Sequence, residues 1–323
     1  MNRMTLAVVA AALAAWSSNP ATAADRSTFT GEYMPYDAME ELPSTPITVA
    51  GGMVDVRFAP GDFTLPRQAL LDWLETSAKA IAVYYGRFPV ASVKILIVPV
   101  PGRGVSGGQA FGYRGSAVRL LVGTESTADD LTRDWKAVHE LVHVATPTVA
   151  QQHLWMSEGL AVYVESIARV QSGDLTEQKI WTDFVRDMPQ GLPQAGDRGL
   201  DFTATWGRTY WGGAIFWMLA DIEIRKRSGN KLGLQDGLKA IIAAGGSNTQ
   251  RWPVERLLDA IDKATGQTVM KDLYGKMRAD PYDPDLAGLW RDLGVETDTG
   301  AATFNSAAIL APIRKAITAA PTG

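Results

Sequence analysis

Two of the three histidines in this chain, His139 and His143, stand four residues apart with Glu140 between them, in the string His139-Glu140-Leu141-Val142-His143. That spacing constrains the fold before anything else does. Residues four apart share one face of an α-helix, so both imidazoles reach one ion only if this stretch is helical. The flanking residues agree: Trp135, Val138, Leu141, Val142 and Ala145 recur at near-helical spacing. Ser126 or Thr127, ahead of Asp129 and Asp130, would supply the N-terminal cap. Imidazole nitrogen suits zinc, whose geometry is undemanding. Glu140 projects about 100° away from His139 around the helix. There it can reach a water on the ion without ligating the ion itself. A metal, a water and a base together describe a hydrolytic centre. The plain alternative is an amphipathic helix whose histidines sit on its polar face.

A catalytic zinc site takes three protein ligands, so a third is needed. A third histidine six residues after His143 would make a metzincin, but that position is Val149. His153, ten residues after His143, fits no such spacing and reads as a surface or supporting histidine. Glu158 is the better candidate. It lies in a run from Leu154 to Glu165 that reads as a second helix, entered from a loop containing Pro147, with Ser157 near its start. His₂Glu is an established zinc ligand set.

The run Trp155-Met156-Ser157-Glu158-Gly159-Leu160-Ala161-Val162-Tyr163-Val164-Glu165 resembles the W-L-x-E-G-F-A-x-Y-x-E segment of the gluzincins, the thermolysin-like zinc metallopeptidases. Glu158 falls on their ligand position. Further on, Tyr210-Trp211-Gly212-Gly213-Ala214 opens an apolar helix similar to the Tyr-x-x-Gly-Ala helix of the aminopeptidase and glycyl-aminopeptidase-like families. Their tyrosine hydroxyl stabilises the oxyanion, and Tyr210 occupies that position. Gly233-Leu234-Gln235-Asp236-Gly237 resembles a turn of the glycyl-aminopeptidase-like branch, to which the likeness is greatest. The resemblance covers about residues 90 to 295. It implies a zinc peptidase with His139, His143 and Glu158 on one Zn²⁺, Glu140 as general base and Tyr210 as oxyanion donor. One departure counts against an aminopeptidase. Where that family has a Gly-x-Met-Glu-Asn strand whose Glu holds the substrate amine, this chain has Gly107-Gly108-Gln109-Ala110-Phe111-Gly112-Tyr113, with no carboxylate. A glycyl-type aminopeptidase and a zinc-stabilised, non-catalytic binding protein stand as alternatives.

Residues 1–23 read as an export signal. Arg3 precedes an apolar stretch from Leu6 to Trp16, and Ala21-Thr22-Ala23 is a small-residue cleavage site. The stretch is too short to span a bilayer, so the mature protein is expected in the periplasm or outside the cell, without stable membrane insertion. Zero cysteines exclude disulfides and thiolate metal sites. A net charge of −4 and the absence of a long Lys/Arg cluster exclude nucleic acid as a natural partner. Arg225-Lys226-Arg227 reads as the end of a helix, where cations suit the dipole.

With three prolines, residues 24–46 read as an extended leader. Strands are expected at Ile47–Phe58 and Val93–Pro99, around a helix from about Pro66 to Tyr85. Gln109 to Gly123 alternates around Gly115 like a hairpin; its outer strand serves either substrate pairing or nothing beyond the sheet. After Tyr163 the pattern is wholly helical, near 175–188, 207–228, 233–244, 253–264 and 267–278. The expected fold is therefore α+β: a thermolysin-like catalytic unit over 47–295, with a mixed sheet lobe (47–125), a helical lobe (126–295) and the cleft between them. Residues 296–323 are expected to form a C-terminal tail.

Overall fold

The computed structural model describes residues 26–297 and 300–320, so the expected export signal lies outside the described residues. Helices α1 (Arg26–Thr30) and α2 (Tyr36–Glu40) lead into β1 (Ser44–Val49) and β2 (Gly52–Phe58). The strand expected at 47–58 is thus a hairpin. It breaks where Ala50 (φ 43°) and Gly51 (φ 85°) adopt the left-handed pair that a tight two-residue turn requires. Helix α3 (Arg67–Tyr85) crosses over to β3 (Ser92–Val100), which runs parallel to β2. β4 (Val105–Phe111) and β5 (Ala117–Gly123) form the expected hairpin, beginning four residues earlier than its alternation indicates. Ser106, Gly107 and Gly108 hide that start, because they carry no apolar alternation.

The sheet order is β1-β2-β3-β5-β4, with β3 and β5 parallel and β4 antiparallel on the edge. Strands β3 and β5 are apolar along nearly their whole length, as strands covered on both faces must be. One face packs on α3 and the helices that follow. The other carries Leu96, Val98 and Ala117, covered by Phe29, Met34, Tyr36 and Met39. Residues 29–42, expected to be part of an extended leader, therefore cover this face of the sheet, and residues 44–46 belong to β1. Buried Arg119 fixes the covering segment, donating to the carbonyls of Gly31 (2.6 Å) and Tyr33 (3.2 Å), and Arg57 donates to those of Glu40 and Leu42.

The helical portion comprises α4 (Ala128–Thr132), α5 (Lys136–Val144), α6 (Leu154–Gln171), α7 (Glu177–Asp187), a π-helical turn at Arg208–Gly212, α8 (Gly213–Arg227), α9 (Leu234–Ala243), α10 (Val254–Thr265), α11 (Val269–Met277) and α12 (Leu286–Leu293). A short hairpin, β6 (Val295–Glu296) with β7 (Thr303–Phe304), interrupts the expected all-helical run. The expected tail is also folded: α13 (Ala311–Thr318) buries Ile313 and Ile317 in the main core, and Arg314 donates to the Gly294 carbonyl. One continuous apolar core runs from the sheet through the helices, so 47–125 and 126–295 do not have separate cores. Among the described residues, no helix is long and apolar enough to cross a membrane.

Candidate metal centre and cleft

Helix α5 buries Ala137, Val138, Leu141, Val142 and Val144, which orients its other face toward the cleft. Its start differs from expectation. Thr127 forms a capping box with Asp130, but on α4. The chain then breaks at Arg133–Trp135, and Asp134 accepts from the Ala137 N–H (3.0 Å) to cap α5. The cap expected from Ser126 or Thr127 thus belongs to α4, and α5 has a start of its own.

Glu158 enters from the second turn of α6, after a short 3₁₀ turn at Gln151–His153. Its Oε2 lies 3.3 Å from His139 Nε2 and 3.5 Å from His143 Nε2, and the two Nε2 atoms are 3.2 Å apart. These are the dimensions of a zinc site. Bonds of 2.0–2.1 Å at tetrahedral angles place ligand atoms about 3.3 Å from one another. The residues therefore fit the ion, and they are the only such His/Cys/Asp/Glu group among the described residues. Ser157, which sequence reasoning treated only as part of a helix start, brings its Oγ to 3.1 Å from His143 Nδ1 and so fixes that ring.

The electrostatics suit a cation. Burial pushes His139 down to about 4, leaving a neutral imidazole. Burial opposes ionisation of Glu158, yet hydrogen bonds and charge from both histidines outweigh it and hold the carboxyl well below its ordinary range. Burial likewise works against a charged His143, and the same Glu158 contacts reverse the effect and raise it. Both shifts favour an ionised Glu158 beside a protonated His143, and a metal ion held there would have to displace that proton.

Glu140 is buried against the edge strand. A Cβ on Gly108 would sit 2.8 Å from Glu140 Cγ and 2.9 Å from its Oε1, so a side chain at 108 would displace the Glu140 carboxyl. Burial raises the Glu140 carboxyl to about 7, countered in part by His143 and the Ala110 N–H. A carboxyl poised near neutral pH is matched to taking up and releasing a proton.

Tyr210 sits in the π-helical turn, a distortion found frequently at functional sites. The expected helix at 207–228 is regular only from Gly213. Tyr210 stacks on Trp206 at 5.7 Å and is pushed up to about 12 by burial and then by the nearby Glu158 carboxylate, so its hydroxyl remains a donor. Two glycines bring it here. A Cβ on Gly213 would lie 2.0 Å from the Trp155 carbonyl, and one on Gly159 would lie 2.2 Å from Gly213 C. Helices α6 and α8 therefore touch backbone to backbone, one residue beyond Glu158.

The cleft holds about 550 Å³ between residues 107–112 of β4 and its extension, α5, α6 and Tyr210. It is bounded where Asn248 donates to the Phe111 carbonyl (2.9 Å) and accepts from Ser116 Oγ (2.7 Å), with Gly112 pressed on its backbone. His153 is not among the ligands. It is buried, and with Trp155 and Tyr274 it hydrogen-bonds Asp201. Of the tryptophans near the motifs, Trp155 is core, while Trp206 is 60% exposed. The Gly233–Gly237 turn caps α9, through Asp236 and the Gly233 N–H.

No family model matches the sequence, and no curated protein matches it. Solved structures do match. An aminopeptidase N family protein from Idiomarina loihiensis aligns with a TM-score of 0.60 at 15% identity, over 79% of this chain and 49% of that one. A two-domain M1 zinc metallopeptidase variant bound to L-arginine aligns with a TM-score of 0.50 at 18% identity, over 76% and 53%. The fold is similar to that of M1 zinc metallopeptidases. This chain spans about half the length of those structures.

Proposed function

We propose that this chain is an exported zinc-dependent peptidase, acting in the periplasm or outside the cell, with one ion held by His139, His143 and Glu158. The observation that carries the reading is the convergence of those three ligand atoms at tetrahedral spacing, with Glu140 and Tyr210 beside them. Zinc bound there supplies a Lewis acid that polarises the scissile carbonyl and acidifies a water molecule. Glu140 takes the proton of the attacking water and returns it to the departing amine. The Tyr210 hydroxyl donates to the carbonyl oxygen as negative charge gathers on it. The outer edge of β4, which pairs with no further strand among the described residues, offers backbone groups to an extended peptide.

Against the glycyl-aminopeptidase form stands the lack of a carboxylate in residues 107–113 to hold a free amine. Glu140 and Tyr210 disfavour a purely structural zinc site, which needs neither.

A peptide panel tests the reading. Chelator-treated protein is expected to lose cleavage and to regain it on adding zinc; cleavage at an unchanged rate without metal would overturn it. Tyr210→Phe is expected to lower kcat by roughly 10²- to 10³-fold, the cost of one oxyanion donor, with zinc content unchanged. An unaltered kcat would remove Tyr210 from the chemistry.

A further inference from the structure

The metal cleft carries a cation of its own. Lys136 is the one lysine or arginine among its lining residues; the other histidine and carboxylate side chains there are the three metal ligands and Glu140. Lys136 opens α5, three residues before His139 and four before Glu140. It therefore shares their face of the helix, about one turn of 5.4 Å away. Its Nζ lies 4.8 Å from the centroid of the Trp135 ring, which also lines the cleft and packs edge-on against His139 at 5.1 Å. The lysine charge reaches His139 itself, where it opposes protonation.

This cation is not spent on the fold. Among the described residues Lys136 makes no ion pair and no side-chain hydrogen bond. Asp134, two residues earlier, feels its charge, but that buried carboxylate accepts from the Ala137 N–H and caps the helix. Arg133, three residues earlier, is by contrast paired with Asp129. The Trp135 indole is neutral, so it orients the ammonium without cancelling its charge. The rest of the cleft has the same bias. Residues 107–113 offer no carboxylate to an incoming amine. Zinc and Lys136 together outweigh Glu158 and Glu140, so the occupied cleft is positive even with both carboxylates ionised. Such a cleft repels a lysine or arginine side chain and attracts a carboxylate.

We propose that Lys136 receives a substrate carboxylate close to the scissile bond, carried by an acidic side chain or by the free carboxyl terminus. The ammonium donates to a carboxylate oxygen, and this charge-assisted bond is stronger than the one a neutral amide accepts. Lys136 is thus a specificity-determining residue, one helical turn from the metal ligands. The proposal rests on the peptidase reading above and names its substrate class.

The test uses the zinc-loaded full chain and peptides with Glu, Gln or Lys placed in turn on each side of the scissile bond, each made with a free or an amidated carboxyl terminus. kcat/KM is read on the parent, and Kd by calorimetry in the Glu140→Gln background. In both readouts the carboxylate is expected to exceed the matching amide by about five- to tenfold, with lysine poorest, and the margin is expected to shrink with added salt. A Glu/Gln margin assigns the carboxylate to a side chain, and an acid/amide margin alone assigns it to the chain end. Lys136→Met is expected to bring the margin near one and Lys136→Arg to keep it, with zinc content and melting like the parent's. Glutamate equal to glutamine at every position, together with acid equal to amide, would overturn the proposal. So would a margin that survives Lys136→Met unchanged, because the attraction would then belong to the metal alone. Carboxylate-selective binding without cleavage by the parent would overturn the peptidase reading and keep the Lys136 assignment. Cleavage without a carboxylate margin would do the reverse.

Discussion

Glu140→Gln is expected to lower kcat on any cleaved peptide by about 10²- to 10⁴-fold, the usual contribution of a positioned general base, while the protein stays folded and keeps its zinc. The three parts of this expectation have separate causes. Glutamine cannot take a proton from water at neutral pH, so the chemical step loses its base. Glutamine retains a carbonyl oxygen for the Ala110 N–H and nearly the volume that Gly108 leaves, so the contact with β4 survives. Burial already disfavours the charged carboxylate, so a neutral amide there costs the fold little. Zinc retention follows because His139, His143 and Glu158 are untouched. Rates on the peptide panel, metal content and thermal melting check the three parts together. A variant that melts and binds zinc like the parent and cleaves equally fast would remove Glu140 from the mechanism.

Gly213→Ala is expected to damage both stability and activity, although residue 213 touches neither metal nor substrate. The added methyl would lie 2.0 Å from the Trp155 carbonyl oxygen and 2.8 Å from Gly159 Cα, which are backbone atoms that no side-chain rotation can move. Overpacking of this sort costs about 1–3 kcal/mol, occasionally more. The helices can relieve it only by separating, and that moves Tyr210 away from Glu158. Gly275→Ala is the control: a Cβ there meets nothing within 4 Å, and the position is within helix α11. Alanine at that site is expected to be neutral or to stabilise by about 0.5–1 kcal/mol. Urea unfolding and kcat read both variants. Equal behaviour of the two would mean that the α6–α8 contact does not set the site.

Periodicity and spacing within one element were readable from the chain. The α5 face, the α3 crossover helix, the β4–β5 hairpin and α7 through α11 all follow patterns that repeat over a few residues. Glu158 and Tyr210 were readable too, because each lies within a string of several matching residues. What escaped depends on contacts between distant segments. Phe29, Met34, Tyr36 and Met39 sit in helices of five residues or in the links between them, too short to show a period, and only the sheet's outer face gives them a place to be buried. Gly159 and Gly213 are visible as letters, but their role exists only where two backbones meet. The π-helical turn at Tyr210 leaves no periodic trace in the sequence. Asn248 bounds the cleft from a turn more than a hundred residues after the hairpin it grips.

Zinc content measured on dialysed protein tests the central claim most directly. The wild type is expected to carry one zinc per chain, and the His139→Ala/His143→Ala double variant essentially none, with Glu158→Ala strongly reduced. No zinc in the wild type, or the same zinc in the double variant, would contradict the metal centre and the chemistry built on it.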